Sequence, residues 1–224
     1  MALTLLIGNK NYSSWSLRPW IAMKVAGIPF EEKVIPLYEP GSREQVLAYS
    51  PAGKLPVLID GGQAVWESLA ILEHLAERVP AAGLWPADPA ARSHARVVAN
   101  EMHGGFQALR KNCPMNIWLP PKARPQGDDV MENVWRIDAL WRDCRTRFGE
   151  QGPFLFGAFG AADAMYAPVV SRLHSYGIPV GAVSRAYMDA VMALPAFQEW
   201  TAAALQEPWV MQHNEPDWPL VRGV

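Results

Sequence analysis

Two adjacent serines, Ser13 and Ser14, lie in the run N-Y-S-S-W-S-L-R, just before a stretch whose apolar spacing predicts a helix. Serine is favoured at helix N-caps, so a structural role for one of them is the simpler interpretation. The same position also permits chemistry, because the free N–H groups and partial positive charge of a helix N-terminus hold anions. A serine hydroxyl there can donate a hydrogen bond to an anion, but without a base it is not a strong nucleophile. The serines alone leave both interpretations open.

A second candidate site is the pair Glu67-Ser68, which precedes another helical pattern. In the structural interpretation, Ser68 caps that helix and Glu67 lies near its positive end. In the functional interpretation, the Ser68 hydroxyl and the helix N–H groups hold an α-carboxylate while Glu67 holds an α-ammonium group. The pair would then clamp an amino-acid moiety.

Two further motifs are structural when taken alone. The run P-A-G-K-L-P-V-L, residues 51–58, is typical of a turn that enters an edge strand, because proline cannot donate to a ladder. The run G-A-F-G-A-A-D, residues 157–163, is a glycine-marked turn into a helix with Asp163 in its first turn. The sequence contains no nucleotide-binding glycine motif, no G-x-S-x-G and no H-E-x-x-H. Its five histidines and two cysteines form no ligand pattern, so we expect no metal site.

The elements that must position these residues fall into two groups. The first eighty residues alternate between strand and helix patterns. In order, the predicted elements are a strand at 3–8, a helix at 17–26, a strand at 30–35, a loop region, strands at 55–59 and 63–66, and a helix at 68–78. Residues 81–90 contain two prolines and a glycine without periodicity, which predicts a linker.

After the linker the strand patterns nearly vanish. Val98, Met102, Gly105 and Leu109 form one helical stripe, and a second stripe runs from Val134 to Phe148 behind a capping box that begins at Asp129. Further helices are predicted at 161–173 and 184–194, and Pro195 is placed to start a last one. The sequence therefore predicts a small α/β domain at 1–80 and an all-helical domain at 91–224.

Composition excludes several classes of protein. The chain has 224 residues, half of them hydrophobic, and a net charge of −2 without long runs of one sign, which argues against binding to nucleic acid or to a membrane surface. The apolar start M-A-L-T-L-L-I-G lacks a basic region and a cleavage site, so it predicts a strand and not a signal peptide. Cys113 and Cys144 form no C-x-x-C pair and suit a reduced, cytoplasmic protein.

Taken together, the motifs resemble those of the cytosolic glutathione transferases. The resemblance rests on Ser13 with Arg18 five residues later, the G-K-L-P-V-L run and E-S-L-A-I-L-E-H-L, in that order and spacing. The S-S-W-S-L-R run is most similar to the serine-type classes, including zeta, which also houses maleylacetoacetate isomerase. It implies a thioredoxin-like N-terminal domain of order β-α-β-α-β-β-α and an all-α bundle that shapes a pocket for a hydrophobic electrophile. It also implies a cytoplasmic detoxifying homodimer with glutathione as cosubstrate and no metal.

The resemblance assigns roles to individual residues. Ser13 becomes the donor to the glutathione thiolate, with Ser14 as the alternative, and Arg18 is structural. Pro56 becomes the family's cis-proline and Leu55 pairs through its backbone with the cysteinyl part of glutathione, as an added strand would. Lys54 faces the glycyl carboxylate, and Glu67 with Ser68 clamps the γ-glutamyl end. The second-substrate pocket is assigned by position to five side chains: Trp15, Met102, Phe106, Met115 and Trp118. Asp163 belongs to the family's buried capping motif.

Three positions depart from the family pattern. Trp15 stands where zeta members have cysteine, which counts against isomerase activity. Gly160 replaces the usual Ser or Thr of the capping motif. Pro19 lies in the predicted first helix, which we therefore expect to start near Leu17 or Arg18. We also interpret the Gly104-Gly105 pair as lying inside a helix.

The alternatives to a transferase are a glutathione-dependent isomerase or dehalogenase, and a non-catalytic binding module of the same fold.

Overall fold

The N-terminal part of the protein is built around a four-stranded mixed sheet. The computed structural model describes residues 2–211. The strands are β1 (Leu3–Ile7), β2 (Phe30–Val34), β3 (Val57–Asp60) and β4 (Gln63–Trp66), in the spatial order β2-β1-β3-β4. β1 runs parallel to β2 and antiparallel to β3, and β3 pairs antiparallel with β4.

Helices cover this sheet and make up the rest of the described chain. Their bounds are α1 (Ser14–Val25), α2 (Ser42–Leu47), α3 (Ser68–Arg78), α4 (Pro89–Gly104), α5 (Gln107–Asn112), α6 (Asp128–Phe148), α7 (Ala161–Ser175), α8 (Ala182–Met192) and α9 (Pro195–Leu205). The order through α3 is β-α-β-α-β-β-α, and no strand follows β4 in the described residues. The predicted fold class, a thioredoxin-like domain followed by a helical one, is confirmed, while the exact division at residues 80 and 90 stays a prediction.

One hydrophobic core joins the two parts of the chain. It includes Leu5 and Ile7 of β1, Trp20 of α1, Leu72 of α3 and Tyr166 of α7, each fully buried. α1 packs against both α3 and α7, so the helix that follows the two serines lies at the junction of the domains. Its position is therefore fixed from both sides.

The start of α1 differs from the prediction. The helix begins at Ser14 and not near Leu17 or Arg18, so Pro19 lies inside it and Ser13 is its N-cap. An internal proline costs a helix about 3 kcal/mol. The residues around it outweigh this cost, because Ser14 and every residue from 16 to 23 are buried. Val25, the last residue of the helix, is exposed.

Two expectations for the helical part are also wrong. Gly104 and Gly105 do not lie inside a helix: α4 ends at Gly104, Gly105 is extended, and Phe106 has a left-handed backbone with φ of 57°. A Cβ at Gly105 would lie 2.6 Å from the carbonyl oxygen of Glu101, so this bend requires glycine. The capping box at Asp129 is absent as well, since α6 starts at Asp128 and the Asp129 carboxylate accepts from the next backbone N–H, that of Val130.

The other boundaries lie close to the prediction. α3 begins and ends as predicted, and Pro195 is the first residue of α9. α8 lies two residues earlier than predicted, and β3 begins at Val57 rather than 55.

Within residues 2–211, none of the helices combines the length and apolar character needed to cross a membrane. Residues 212–224 of the predicted helical domain lie outside the described residues.

Candidate functional site

A cleft of about 300 Å³ lies between the start of α1, the segment before β3, the β4–α3 junction and α4. Its lining residues are Trp15, Lys54, Leu55, Pro56, Trp66, Glu67, Ser68 and His103. The fold thus brings together residues more than fifty positions apart, including every side chain predicted to contact glutathione other than the serines. The sequence prediction missed Trp66 and His103.

The β4–α3 junction presents a helix N-terminus to this cleft. Glu67 is the N-cap of α3 and has a left-handed φ of 67°, an uncommon conformation for a residue other than glycine. Ser68 is the first helical residue and not the cap, so the structural interpretation of Ser68 is wrong. Its buried hydroxyl donates to Sδ of Met165 at 3.9 Å. The backbone strain at Glu67 is typical of positions that hold a ligand.

Lys54 and Leu55 line the same cleft from the segment that precedes β3. The peptide bond between Leu55 and Pro56 is cis, as the family resemblance implies. β3 pairs with its neighbours only from Val57 onward, so Leu55 lies outside the ladder while still lining the cleft. Its backbone is therefore in place to pair with an extended ligand.

The two serines lie beside the cleft, next to Trp15. Each is 7% exposed, and neither is among the lining residues. The Ser13 hydroxyl donates to Oγ of Ser16 at 2.7 Å, and the same Ser16 oxygen accepts from the backbone N–H of Gly8 at 3.0 Å. Ser16, which the sequence prediction did not single out, thus links the end of β1 to Ser13. Ser13 makes no side-chain capping bond to α1.

Cationic side chains surround Trp15. The guanidinium carbon of Arg18 lies 3.9 Å from the Trp15 ring centroid, and that of Arg110 lies 5.1 Å from it. Arg18 is buried and donates from Nε to the carbonyl oxygen of Met165 at 3.1 Å. Such contacts hold an indole ring in place. Two guanidinium groups therefore lie against the Trp15 ring, although neither arginine is among the lining residues of the cleft.

His103 completes this side of the cleft. Its ring lies edge-on to Trp15 with centroids 5.3 Å apart, and its Nε2 is 3.8 Å from Oε2 of Glu67. Burial lowers the pKa of His103 below its usual value, Glu67 opposes this, and the charges of Arg18 and Arg110 add to it. The imidazole is therefore mostly neutral at pH 7. No sequence motif marks this histidine.

The remaining side chains assigned to the second-substrate pocket do not line the cleft. Met102, Met115 and Trp118 are 0–1% exposed and Phe106 is 7% exposed. Trp118 packs on Tyr12 and donates from Nε1 to the carbonyl oxygen of Ala204. A separate, mostly apolar cavity of about 500 Å³ lies between the segment at 117–121, α7 and α9, and it shares no lining residue with the cleft.

Asp163 lies away from the cleft and ties a turn to α7. Its two carboxylate oxygens accept from the backbone N–H groups of Leu155 at 3.0 Å and Gly160 at 2.9 Å. Complete burial raises the pKa of Asp163 to about 6, and the backbone hydrogen bonds only partly offset this effect. Within the part of the chain that the structure describes, no group of His, Cys, Asp or Glu side chains is placed to hold a metal ion.

Comparison with known sequences identifies two domain models and several curated relatives that match this chain. Residues 12–78 match the model for the glutathione S-transferase N-terminal domain, and residues 125–203 match the model for its C-terminal domain. A maleylacetoacetate isomerase of Pseudomonas aeruginosa is 27% identical over 219 residues, which span 92% of this chain and 95% of that protein. A Caenorhabditis elegans protein named "Probable maleylacetoacetate isomerase" is 36% identical over 97 residues, only 45% of its length and 43% of this chain.

Comparison with solved structures agrees at the level of the fold. A glutathione transferase homologue from a Burkholderia species, solved with bound glutathione, superposes with a TM-score of 0.71 and 23% identity. The match covers 91% of this chain and 98% of the homologue.

Proposed function

Since two domain models of the glutathione S-transferase family match more than half of the chain, it belongs to that family, and we propose that it joins glutathione to a hydrophobic electrophile. The observation that carries the proposal is the cleft itself. It gathers Lys54, Leu55, Glu67 and Ser68 from separate elements around a helix N-terminus. Glutathione is a cosubstrate in this reaction, and we propose detoxification as its purpose.

Glutathione fits the cleft as an extended peptide. Glu67 binds the γ-glutamyl ammonium group, while Ser68 and the first N–H groups of α3 bind its α-carboxylate. The backbone of Leu55 pairs with the cysteinyl residue, and Lys54 faces the glycyl carboxylate. This pose directs the cysteinyl sulfur toward the start of α1.

The start of α1 supplies enough stabilisation to ionise that sulfur. A free thiol has a pKa near 8.5, so a predominantly ionised thiol at pH 7 needs a pKa about two units lower, or about 2.7 kcal/mol. A hydrogen bond to a charged group contributes about 1.5–3 kcal/mol, and a helix N-terminus about 0.3–1 kcal/mol. One serine hydroxyl at this helix is therefore sufficient. The thiolate then attacks the electrophilic carbon.

Ser13 is the proposed donor. In the structure its hydrogen bond goes to Ser16, so rotation about χ1 must release the hydroxyl when the thiolate arrives. Ser16 keeps its bond from the Gly8 N–H, which limits the cost of that rotation. Ser14, equally buried and one residue further on, is the alternative donor.

Steady-state conjugation of glutathione to an activated aryl halide tests the assignment. Ser13→Ala is expected to lower kcat at least tenfold and to leave the Kd for glutathione nearly unchanged, because the donor acts on the thiolate and not on binding. Ser14→Ala is the matched control. If Ser14→Ala has the large effect and Ser13→Ala does not, Ser14 is the donor.

A glutathione-dependent cis–trans isomerase is the second candidate. It is favoured by similarity to a maleylacetoacetate isomerase over nearly the whole chain. The same thiolate would add reversibly to a double bond and leave after rotation. Isomerisation of a cis-enedione by the wild-type protein, with glutathione as a catalyst that is not consumed, would establish this activity.

We further propose a cytoplasmic homodimer. Val97 on α4 and Trp135 on α6 are 59% and 62% exposed, and we assign them to the contact between the two copies. Both lie in the helical part of the chain. Light scattering is expected to give twice the chain mass, and Trp135→Glu to shift it toward the monomer. A monomeric wild type would refute the dimer. Cell fractionation tests the compartment.

A further inference from the structure

The loop that leads to the serines is held by residues from the other end of the chain. This β1–α1 loop, residues 8–13, connects β1 to the N-cap of α1. The backbone N–H groups of Lys10 and Asn11 donate to the two carboxylate oxygens of Glu207, at 2.6 Å to Oε1 and 2.9 Å to Oε2. Glu207 lies two residues beyond α9, almost two hundred positions along the chain.

The other contacts to the loop reach different groups. Trp200 Nε1 donates to the carbonyl oxygen of Lys10 at 2.9 Å, and the backbone N–H of Trp118 donates to Oδ1 of Asn11 at 3.0 Å. Lys10 directs its own ammonium group to Glu32, with Nζ 2.6 Å from Oε1. Two successive backbone N–H groups that point the same way form an anion-binding concavity, and here a carboxylate of the chain itself fills it.

The loop that Glu207 holds is joined to Ser13 by a backbone hydrogen bond. The N–H of Ser13 donates to the carbonyl oxygen of Asn9 at 2.8 Å, so the loop closes on itself around the two residues that Glu207 holds. A shift at Lys10 and Asn11 therefore moves the N-cap of α1. Bonds to a charged acceptor are shorter and stronger than neutral ones, which makes a carboxylate the effective group for this task.

Stability alone does not account for a carboxylate at this position. Burial raises the pKa of Glu207, and its bonds to Asn11 and Lys10 only partly oppose the effect. An acid whose pKa is raised by folding lowers the stability of the folded protein as the pH rises through its pKa. At neutral pH an amide would avoid that cost.

We propose that Glu207 is a positioning residue for the thiolate site, which holds the β1–α1 loop so that Ser13 meets the glutathione sulfur. The inference rests on the proposed function. Glu207 does not line the cleft and is assigned no contact with either substrate.

Glu207→Gln tests this role with little change of shape. The amide keeps one acceptor oxygen and loses the charge and the second acceptor. Glu199→Gln is the matched control, because Glu199 on α9 also reaches the N-terminal domain, through Lys24 at 2.7 Å, but does not touch the loop. The measurements are the pKa of the bound glutathione thiol, from thiolate absorbance against pH, kcat and KM for glutathione, and the melting temperature.

Glu207→Gln is expected to raise the pKa of the bound thiol by about one unit and to lower kcat at pH 6.5 about fivefold. KM for glutathione should change less than about twofold, since the γ-glutamyl and glycyl contacts are intact. Glu199→Gln should match the wild type in thiol pKa, kcat and KM.

The possible results test the proposed function and the positioning role of Glu207 separately. If the wild type lowers the thiol pKa and folded Glu207→Gln lowers it equally, Glu207 has no positioning role and the inference is overturned. If Glu207→Gln alters only the melting temperature, the contact is merely structural and the inference is again overturned. If the wild type does not lower the thiol pKa, the proposed function fails and the inference fails with it.

Discussion

Asp163 offers a test of the fold that is independent of catalysis. Its carboxylate is completely buried and accepts from the backbone N–H groups of Leu155 and Gly160. Replacing it with asparagine keeps the shape and one acceptor oxygen but removes the titratable group. The expected consequence is a change in how stability depends on pH.

The magnitude follows from the two pKa values. Burial raises the pKa of Asp163 to about 6 in the folded protein, against about 3.9 in an unfolded chain. The folded state therefore binds more protons between these values, and the contribution of Asp163 to stability is lost as the pH rises through this window. The full difference of about two units corresponds to about 3 kcal/mol, of which about 2 kcal/mol falls between pH 4 and pH 7.

Urea unfolding of the wild type and of Asp163→Asn at several pH values measures this directly. From pH 4 to pH 7 the wild type should lose about 2 kcal/mol of stability relative to the variant. Asp128→Asn, which alters an exposed residue at the start of α6, is the control and should follow the wild type. The same pH dependence in the wild type and Asp163→Asn would refute the reasoning. Activity per folded molecule should be equal in all three proteins, because Asp163 lies outside the cleft.

The other predictions concern ligand binding and are all accessible to calorimetry. Glu67→Gln should raise the Kd for glutathione about tenfold or more, because it removes the charge that pairs with the ammonium group. The control Glu77→Gln, on the exposed side of α3, should leave the Kd unchanged. Equal affinities of the two variants would exclude the clamp. Lys54→Met should weaken binding at low salt and less so at high salt, since an exposed charge pair is screened; an effect independent of salt would mean that Lys54 acts through packing. In the wild type, protonated His103 should compete with the ammonium group of glutathione for Glu67, so the affinity for glutathione should fall as the pH drops below the lowered pKa of His103. His103→Gln should show a smaller fall, and an identical pH profile in the variant would contradict this pairing.

Local patterns are sufficient to predict most of the elements. A continuous apolar run identifies β1, which is buried along most of its length, and a 3.6-residue period identifies α3, which buries one face. The predicted start of α1 is wrong for a physical reason. A local rule against internal proline is outweighed when the first turns of the helix are packed between two domains. The bend at Gly105 escapes prediction similarly, because the close approach of the Glu101 carbonyl oxygen is not visible in the sequence.

The site is only partly accessible from sequence. Lys54, Leu55 and Glu67 belong to recognisable runs, and the fold gathers them as expected. His103 and Glu207 carry no motif, because their roles depend on neighbours that are far away along the chain. The two guanidinium groups against the Trp15 ring come from Arg18 of α1 and Arg110 of α5, which lie far apart along the chain. When the residues of the second-substrate pocket are assigned from their positions in the sequence alone, an apolar region is predicted around Trp15.

The most direct test of the central claim is the ionisation of bound glutathione. The ultraviolet absorbance of the thiolate is titrated against pH for glutathione bound to the wild type and to Ser13→Ala. A thiol pKa about two units below that of free glutathione in the wild type, and a value close to that of free glutathione in Ser13→Ala, is the expected result. Glutathione that binds to the wild type with an unshifted thiol pKa would contradict the account and would indicate a binding module rather than an enzyme.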